Sequence, residues 1–265
     1  MAAKLINVLR RQTGVRRLLS DIDANPKIRK NGKLGILTAV LHLAPGDMSG
    51  HEVCPKRSPG CSAACLHFAG SPAYMKAKTQ ARIFKTKLLF SNRNLFMNIL
   101  SLEISEHIAL ADQRDMEPAF RLNGTSDIVW ERKNFTLFPQ VADILGKPPG
   151  KVNIIDLFPT TTFYDYTAVP NRDPSDNYHL TFSLKEQNMN DAKLALLQGR
   201  NVAAVFHDRL PDTMLGLPVI DGDEHDFRPA DPQGVIVGLK AKGTLGRADS
   251  TGFVRYESSE LSIAA

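Results

Sequence analysis

Tyr178-His179-Leu180-Thr181-Phe182-Ser183, then residues 190–198 closed by Gly199, then Val202-Ala203-Ala204-Val205-Phe206-His207, is the stretch whose reading decides the fold. The first segment alternates aromatic or apolar residues with polar ones, which is the period of a strand. The second carries a helical pattern, and Gly199 supplies the residue that closes a helix in the left-handed conformation. The third reads as another strand. Strand, helix and strand in this order predict a right-handed βαβ unit and therefore a parallel sheet.

The same order extends outward. Asn31-Gly32-Lys33 is a turn, and residues 34–43 read as a buried strand that runs into Pro45-Gly46. A helix is expected from Ser71-Pro72 to about Phe90, with Ser71 as N-cap and Pro72 in the first turn. After a break at Ser91-Asn92, a second helix from Leu95 to Leu110 places Phe96, Ile99, Leu100, Ile104 and Ile108 on one face. Further strands are expected at 119–122, 161–166, 218–220 and 235–239. This is α/β order. A (β/α) barrel, incomplete in its strand count, is the first expectation, and an open doubly wound sheet the alternative. In both, functional groups gather on loops after the carboxyl ends of the strands. Residues 1–33 read as a basic helical extension, with Leu5, Ile6, Leu9, Val15, Leu18 and Leu19 at helical spacing, and 34–265 as a single domain.

The loop after the first strand holds every cysteine of the chain: His51-Glu52-Val53-Cys54-Pro55-Lys56-Arg57-Ser58-Pro59-Gly60-Cys61-Ser62-Ala63-Ala64-Cys65-Leu66-His67. An odd number of thiols cannot pair off into disulfides. Buried structural cysteines would be scattered along strands and helices. Clustered thiolates suit a soft metal or an iron–sulfur cluster. Three thiolates can hold three irons of a [4Fe–4S] cluster and leave the fourth to His51, His67, an acid or a small molecule. A Cys₃His zinc site is the alternative.

Polar groups stand at other strand ends. Arg121-Leu122-Asn123-Gly124-Thr125-Ser126-Asp127 offers hydrogen-bonding side chains around a turn, with helix capping by Ser126 or Asp127 as the structural alternative. In Phe163-Tyr164-Asp165-Tyr166-Thr167, Asp165 points into a barrel or out to solvent. His179, Thr181 and Ser183 share one strand face, suited to a polar lumen or an exposed sheet face. Asn123, Asp127, Asp165 and His179 are the expected lining of a ligand cavity. Asp221-Gly222-Asp223-Glu224-His225-Asp226 offers ligands for a hard cation or a solvated charged loop. His207-Asp208 after its strand reads as ordinary surface.

With 43% hydrophobic and 23% charged residues among 265, the composition is that of a soluble globular protein. No segment reaches the roughly 18 apolar residues that span a bilayer, and the start lacks the apolar run of a secretory signal. Unpaired thiols fit a reducing cytoplasm. Net charge is +5. Nine Lys and Arg between Lys4 and Lys33 face only Asp21 and Asp23, and Lys76, Lys78, Arg82, Lys85, Lys87 and Arg93 have no acid among them. Nucleic acid is a candidate partner for this basic region, and solvated helix surface the alternative.

Two resemblances follow from these residues. A three-cysteine loop after the first strand of a barrel resembles the radical S-adenosylmethionine enzymes, which implies S-adenosylmethionine as a second cofactor and a small-molecule substrate. Their usual spacing is C-x3-C-x2-C, whereas this chain has C-x6-C-x3-C. The cysteine spacing, residues 121–127, 163–167 and 178–183, and Gly222-Asp223-x-His225-Asp226 together resemble a phage protein family, that of mycobacteriophage gene product eighty-eight. That resemblance implies a viral origin and expression in the host bacterial cytoplasm.

Overall fold

Parallel strands carry the chain's architecture because most connections between them are long enough to hold helices. The structure is a computed structural model and describes residues 2–21, 26–69 and 75–256. In chain order the strands are β1 (Ile36–Val40), β2 (Glu117–Arg121), β3 (Asn134–Leu137), β4 (Gly150–Asn153), β5 (Thr162–Thr167), β6 (Tyr178–Ser183), β7 (Val202–Phe206), β8 (Thr213–Met214), β9 (Leu217–Asp221), β10 (Ile236–Lys240) and β11 (Val254–Arg255). The main sheet has the order β1-β2-β5-β6-β7-β10-β9-β8. Every neighbouring pair is parallel except β8–β9. No pairing joins β1 to β8 among the described residues. β3 and β4, joined through the helix Pro139–Leu145, pair antiparallel in a separate small sheet that the sequence does not predict.

The deciding stretch folds as expected. β6 and β7 are adjacent and parallel, with the helix Met189–Leu197 between them. Gly199 takes φ +76 and its N–H returns to the Leu196 carbonyl, ending the helix. The first strand is shorter than expected at both ends: Lys30–Leu34 forms a 3-10 turn closed by Gly35 at φ 73, and the strand stops at Val40. The helix Lys76–Ser91 is present, while the expected cap at Ser71-Pro72 lies outside the described residues.

The helix Arg93–Gln113 is buried on more than the expected face. Met97, Asn98, Ser101, Leu102 and Glu103 are covered as well as Phe96, Ile99, Leu100 and Ile104. It lies against β2 on one side and against Ala2–Thr13, Lys76–Ser91 and β3 on others. The basic N-terminal segment is thus part of the main core: Ile6, Leu9, Val15, Leu18 and Leu19 join the same apolar cluster as Phe120 and Phe163. Glu103 anchors it, accepting from Leu18 N, Leu19 N (2.7 Å) and Arg10 Nη2 (2.9 Å).

The two faces of the sheet differ in chemistry. Phe120, Leu122, Phe163, Tyr178 and Leu180 face the helix-covered core, and Phe182, Val202, Ala204, Phe206 and Ile236 form a second core with Ala192 and Ala195 of the helix Met189–Leu197. Strand alternation puts Thr38, Arg121, Tyr164, Tyr166, His179 and Thr181 on the opposite, inner face. The segment 222–231 folds across it. Asp226, 1% exposed, accepts from Arg121 Nη1 (3.1 Å) and Tyr164 Oη (3.2 Å), and Arg228 stands 3.2 Å from Asp231. Gly222 permits this approach, since a Cβ there would lie 2.5 Å from Val237 Cγ1. The acidic and histidine cluster read as a cation site or a solvated loop is therefore an ion-paired segment in which Asp226 is buried, Asp221, Asp223 and His225 are half-buried and Glu224 is exposed.

Candidate functional site

The cysteine loop leaves β1, and its first part is tied down by the loop after β2. Thr125 Oγ1 donates to the Leu43 carbonyl at 2.6 Å, Asp127 N donates to the Val53 carbonyl at 2.8 Å, and Cys54 Sγ lies 3.8 Å from the Thr125 carbonyl. Further along, Ser58 caps the short helix Pro59–Ala63 by accepting from Cys61 N. Its hydroxyl donates to Glu186 Oε2 at 2.6 Å, and Gly60 N donates to Glu186 Oε1 at 2.8 Å. Lys185 Nζ donates to the Lys56 carbonyl at 2.7 Å. Lys185 and Glu186 lie two and three residues past the end of β6.

β6 pairs with β7 at Phe182 and Ser183, and β11 then takes its place beside Val205 and Phe206. Gly60 packs onto Thr251 and Phe253, just before β11, so closely that a Cβ would overlap both. One loop thus spans the carboxyl ends of the strands from β1 to β7.

All three cysteines are free and half-buried. Burial pushes each thiol above its ordinary range, Cys54 up to about 12. Lys185 works against the rise at Cys61, and the Arg82 guanidinium against that at Cys65. Among the described residues no three His, Cys, Asp or Glu side chains stand in the geometry of a single-ion site. The neighbouring histidines are engaged elsewhere. His51 stacks on Phe90 with centroids 4.3 Å apart, and His67 Nδ1 lies 2.7 Å from Arg82 Nη1.

The four residues expected to line a cavity are divided between the two sheet faces. Asn123 is consumed by its own loop: Oδ1 accepts from Ser126 Oγ, Ile128 N and Trp130 Nε1, and Nδ2 donates to the Ile128 carbonyl. Asp165 sits on the helix-covered face, neither in the inner space nor in solvent. It accepts from Asn123 N and Tyr178 Oη, both at 2.8 Å, and burial raises it to about 7 against the pull of Arg121. Asp127 accepts from Thr167 Oγ1 (2.7 Å) and Ala168 N (2.9 Å), and burial raises it too. Arg172 completes this network with a forked pair to Glu131 at 2.8 and 2.6 Å and a contact to Tyr178 Oη.

These three residues therefore brace the loop that braces the cysteines. His179 alone lies on the inner face. Its Nε2, Thr181 Oγ1 and Tyr166 Oη are buried without hydrogen-bond partners among the described residues. Lys185, Glu186, His42 and Arg82 were not singled out as site residues by the sequence reading. A signal existed for the first three, which lie two or three residues past the ends of strands.

A model of the family described as Gene product 88 matches residues 17–257, a span that includes the cysteine loop, its braces and β11. The chain belongs to this phage gene-product family. No curated protein and no solved structure matches it. No helix among the described residues is long and apolar enough to cross a membrane.

Proposed function

We propose that the chain is an iron–sulfur protein in which Cys54, Cys61 and Cys65 hold one [4Fe–4S] cluster over the strand ends, serving redox or radical-type catalysis on a small molecule. The observation that carries this reading is that every cysteine lies on one loop held across the carboxyl ends of the sheet. Three soft donors fit an iron–sulfur cluster. Bound there, the cluster would supply electron transfer and one iron without a cysteine ligand.

With His51 stacked on Phe90 and His67 bonded to Arg82, that position is open to an exogenous molecule, and S-adenosylmethionine is the first to test. A contact across the sheet supports an incomplete barrel: Asn31, before β1, accepts from Asp226 N at 2.8 Å and Phe227 N at 3.1 Å beyond β9. Closure would then rest on side chains and loops in place of strand pairing. Free thiols suit the host bacterial cytoplasm.

The nucleic-acid reading has less support, because cations of both basic runs are used internally. Arg10 pairs with Glu103, Lys85 donates to the Leu18 carbonyl, and Arg82 is buried. Protein purified without oxygen should carry iron and sulfide, and Cys61→Ala should lose both. Stoichiometric zinc without iron would overturn the proposal. Adding S-adenosylmethionine to the reduced protein tests the radical branch: no change in the electron paramagnetic resonance signal and no cleavage of the cofactor removes it.

A further inference from the structure

Buried arginines in this protein are paired with carboxylates, and one is not. Arg172 has Glu131, Arg228 has Asp231, and the nearly buried Arg121 has Asp226. Arg82 is 5% exposed and takes part in no ion pair among the described residues. Charged side chains are almost never buried without a partner, since the desolvation is left uncompensated.

The only hydrogen-bond contact of the Arg82 guanidinium among the described residues is His67 Nδ1 at 2.7 Å, an uncharged acceptor at best. Its place is fixed from behind. The Arg82 carbonyl accepts from Thr86 Oγ1 at 2.9 Å, and Thr86 Oγ1 accepts from Ala44 N at 2.9 Å, joining the helix Lys76–Ser91 to the chain just beyond β1.

The surroundings share this imbalance. Lys78 lies one helical turn before Arg82, near enough that each acts on His67, and it too has no ion pair among the described residues. His42 follows β1 on its inner side, a neighbour of Gly124. It is half-buried, and loss of solvent first, then the charges of Arg82, Arg121, Lys85 and Lys78, push it down to about 3, with no carboxylate opposing them. Arg121 is satisfied by Asp226, and Lys85 by the Leu18 carbonyl. Positive charge is therefore in excess at the rim beside Cys65, and it is concentrated on Arg82 and Lys78.

We propose that Arg82 and Lys78, beside His42 at the strand ends, form a binding site for an anionic group, a carboxylate or a phosphate, of a small-molecule ligand. The guanidinium presents a planar fork suited to two oxygens of either group. Lys78, at the exposed end, supplies a second charge that attracts the anion from solvent. The neutral imidazole of His42 leaves the pocket free of a further fixed charge while offering a hydrogen bond. Arg82 and Lys78 are outside the set of thiols, although Arg82 lies near enough to act on Cys65, so the anion is tested on protein whose iron content is known.

The test is calorimetric titration of the full-length, thiol-reduced protein with inorganic phosphate, pyrophosphate and malonate. Ionic strength is held constant with sodium chloride, since screening alone alters such binding. At least one anion should bind, and its identity separates phosphate from carboxylate. Arg82→Gln should weaken that binding at least about tenfold, the loss expected for a charge-assisted hydrogen bond. Arg82→Lys, which keeps the charge and loses the fork, should fall between the two and serves if the Gln variant does not fold. Lys87→Gln, exposed on the same helix, should leave binding unchanged. Iron analysis of the same samples reports separately on the cluster. Absence of binding by all three anions would overturn the proposal, as would equal affinity in wild type and the Arg82 variants.

Discussion

Replacing Glu103 with Gln should detach the N-terminal segment from the core. The carboxylate is 1% exposed and receives Leu18 N on both oxygens at 3.0 Å, Leu19 N at 2.7 Å and Arg10 Nη2 at 2.9 Å. Glutamine offers one acceptor oxygen and an amino group, so at least one of these donors would face another donor. Arg10 would also lose its nearest negative charge. Breaking a buried, hydrogen-bonded pair costs about 3–5 kcal/mol.

The lower end applies here, about 3 kcal/mol, because Arg10 remains 18% exposed and has Glu106 at 3.6 Å as a second partner. For a chain of this size that corresponds to a melting temperature lower by roughly 6–12 °C. Urea unfolding measures the free energy, and hydrogen exchange should show faster opening at residues 15–19 than in β5 or β6. Arg10→Ala should cost less, since the backbone donors of Leu18 and Leu19 keep their acceptor. A Glu103→Gln protein as stable as wild type, with unchanged exchange at Leu18 and Leu19, would refute the view that this carboxylate holds the segment.

Two further outcomes are expected. Asp165, raised to about 7 by burial, holds its proton in the folded state at pH values where the unfolded chain has released it, so its contribution to stability falls as pH rises from about 4 to 7. Relative to Asp165→Asn, the wild type should therefore lose stability over that window in urea titrations, and parallel curves for the two proteins would contradict the assignment. Gly60→Ala should lift the helix Pro59–Ala63 off residues 251–253, since its Cβ would fall 2.5 Å from Phe253 Cβ; overpacking of this kind costs about 1–3 kcal/mol. Limited proteolysis should then cut nearer the C-terminus sooner, and an unaltered cleavage pattern with an unchanged melting temperature would speak against the contact.

Much of the fold was legible because it is written in local pattern. The alternation at 178–183, the helix ended by Gly199 and the apolar run at 202–206 each depend on neighbours a few positions apart. The pair of β3 and β4 was missed although Asn134-Phe135-Thr136-Leu137 alternates, its Phe and Leu being the buried residues. β11 has two residues and exists only because β6 leaves the side of β7, so no local pattern marks it.

The site was legible in part. The cysteine spacing picked out the loop that the structure holds over the strand ends, and the polar run 121–127 proved to be its brace. Which face Asp165 would take was not readable. Phe163 and Thr167 share its side while Tyr164 and Tyr166 take the other, and both sides are buried or nearly so. A strand covered on both faces carries no hydrophobic difference to say which is the interior.

Charge pairing was the least legible. By itself the sequence determined the parallel strand-and-helix order, the family and the gathering of all three thiols on one loop. The tertiary structure decided which charges are satisfied. Arg121 meets Asp226 across 105 positions and Leu18 meets Glu103 across 85, while Arg82 is carried by its helix into a place that holds no carboxylate among the described residues. Local periodicity is set by backbone geometry within a turn or a pleat, so it survives in the sequence. The partner of a charge is set by where distant elements come to rest, and the count of basic residues along a helix does not contain that information.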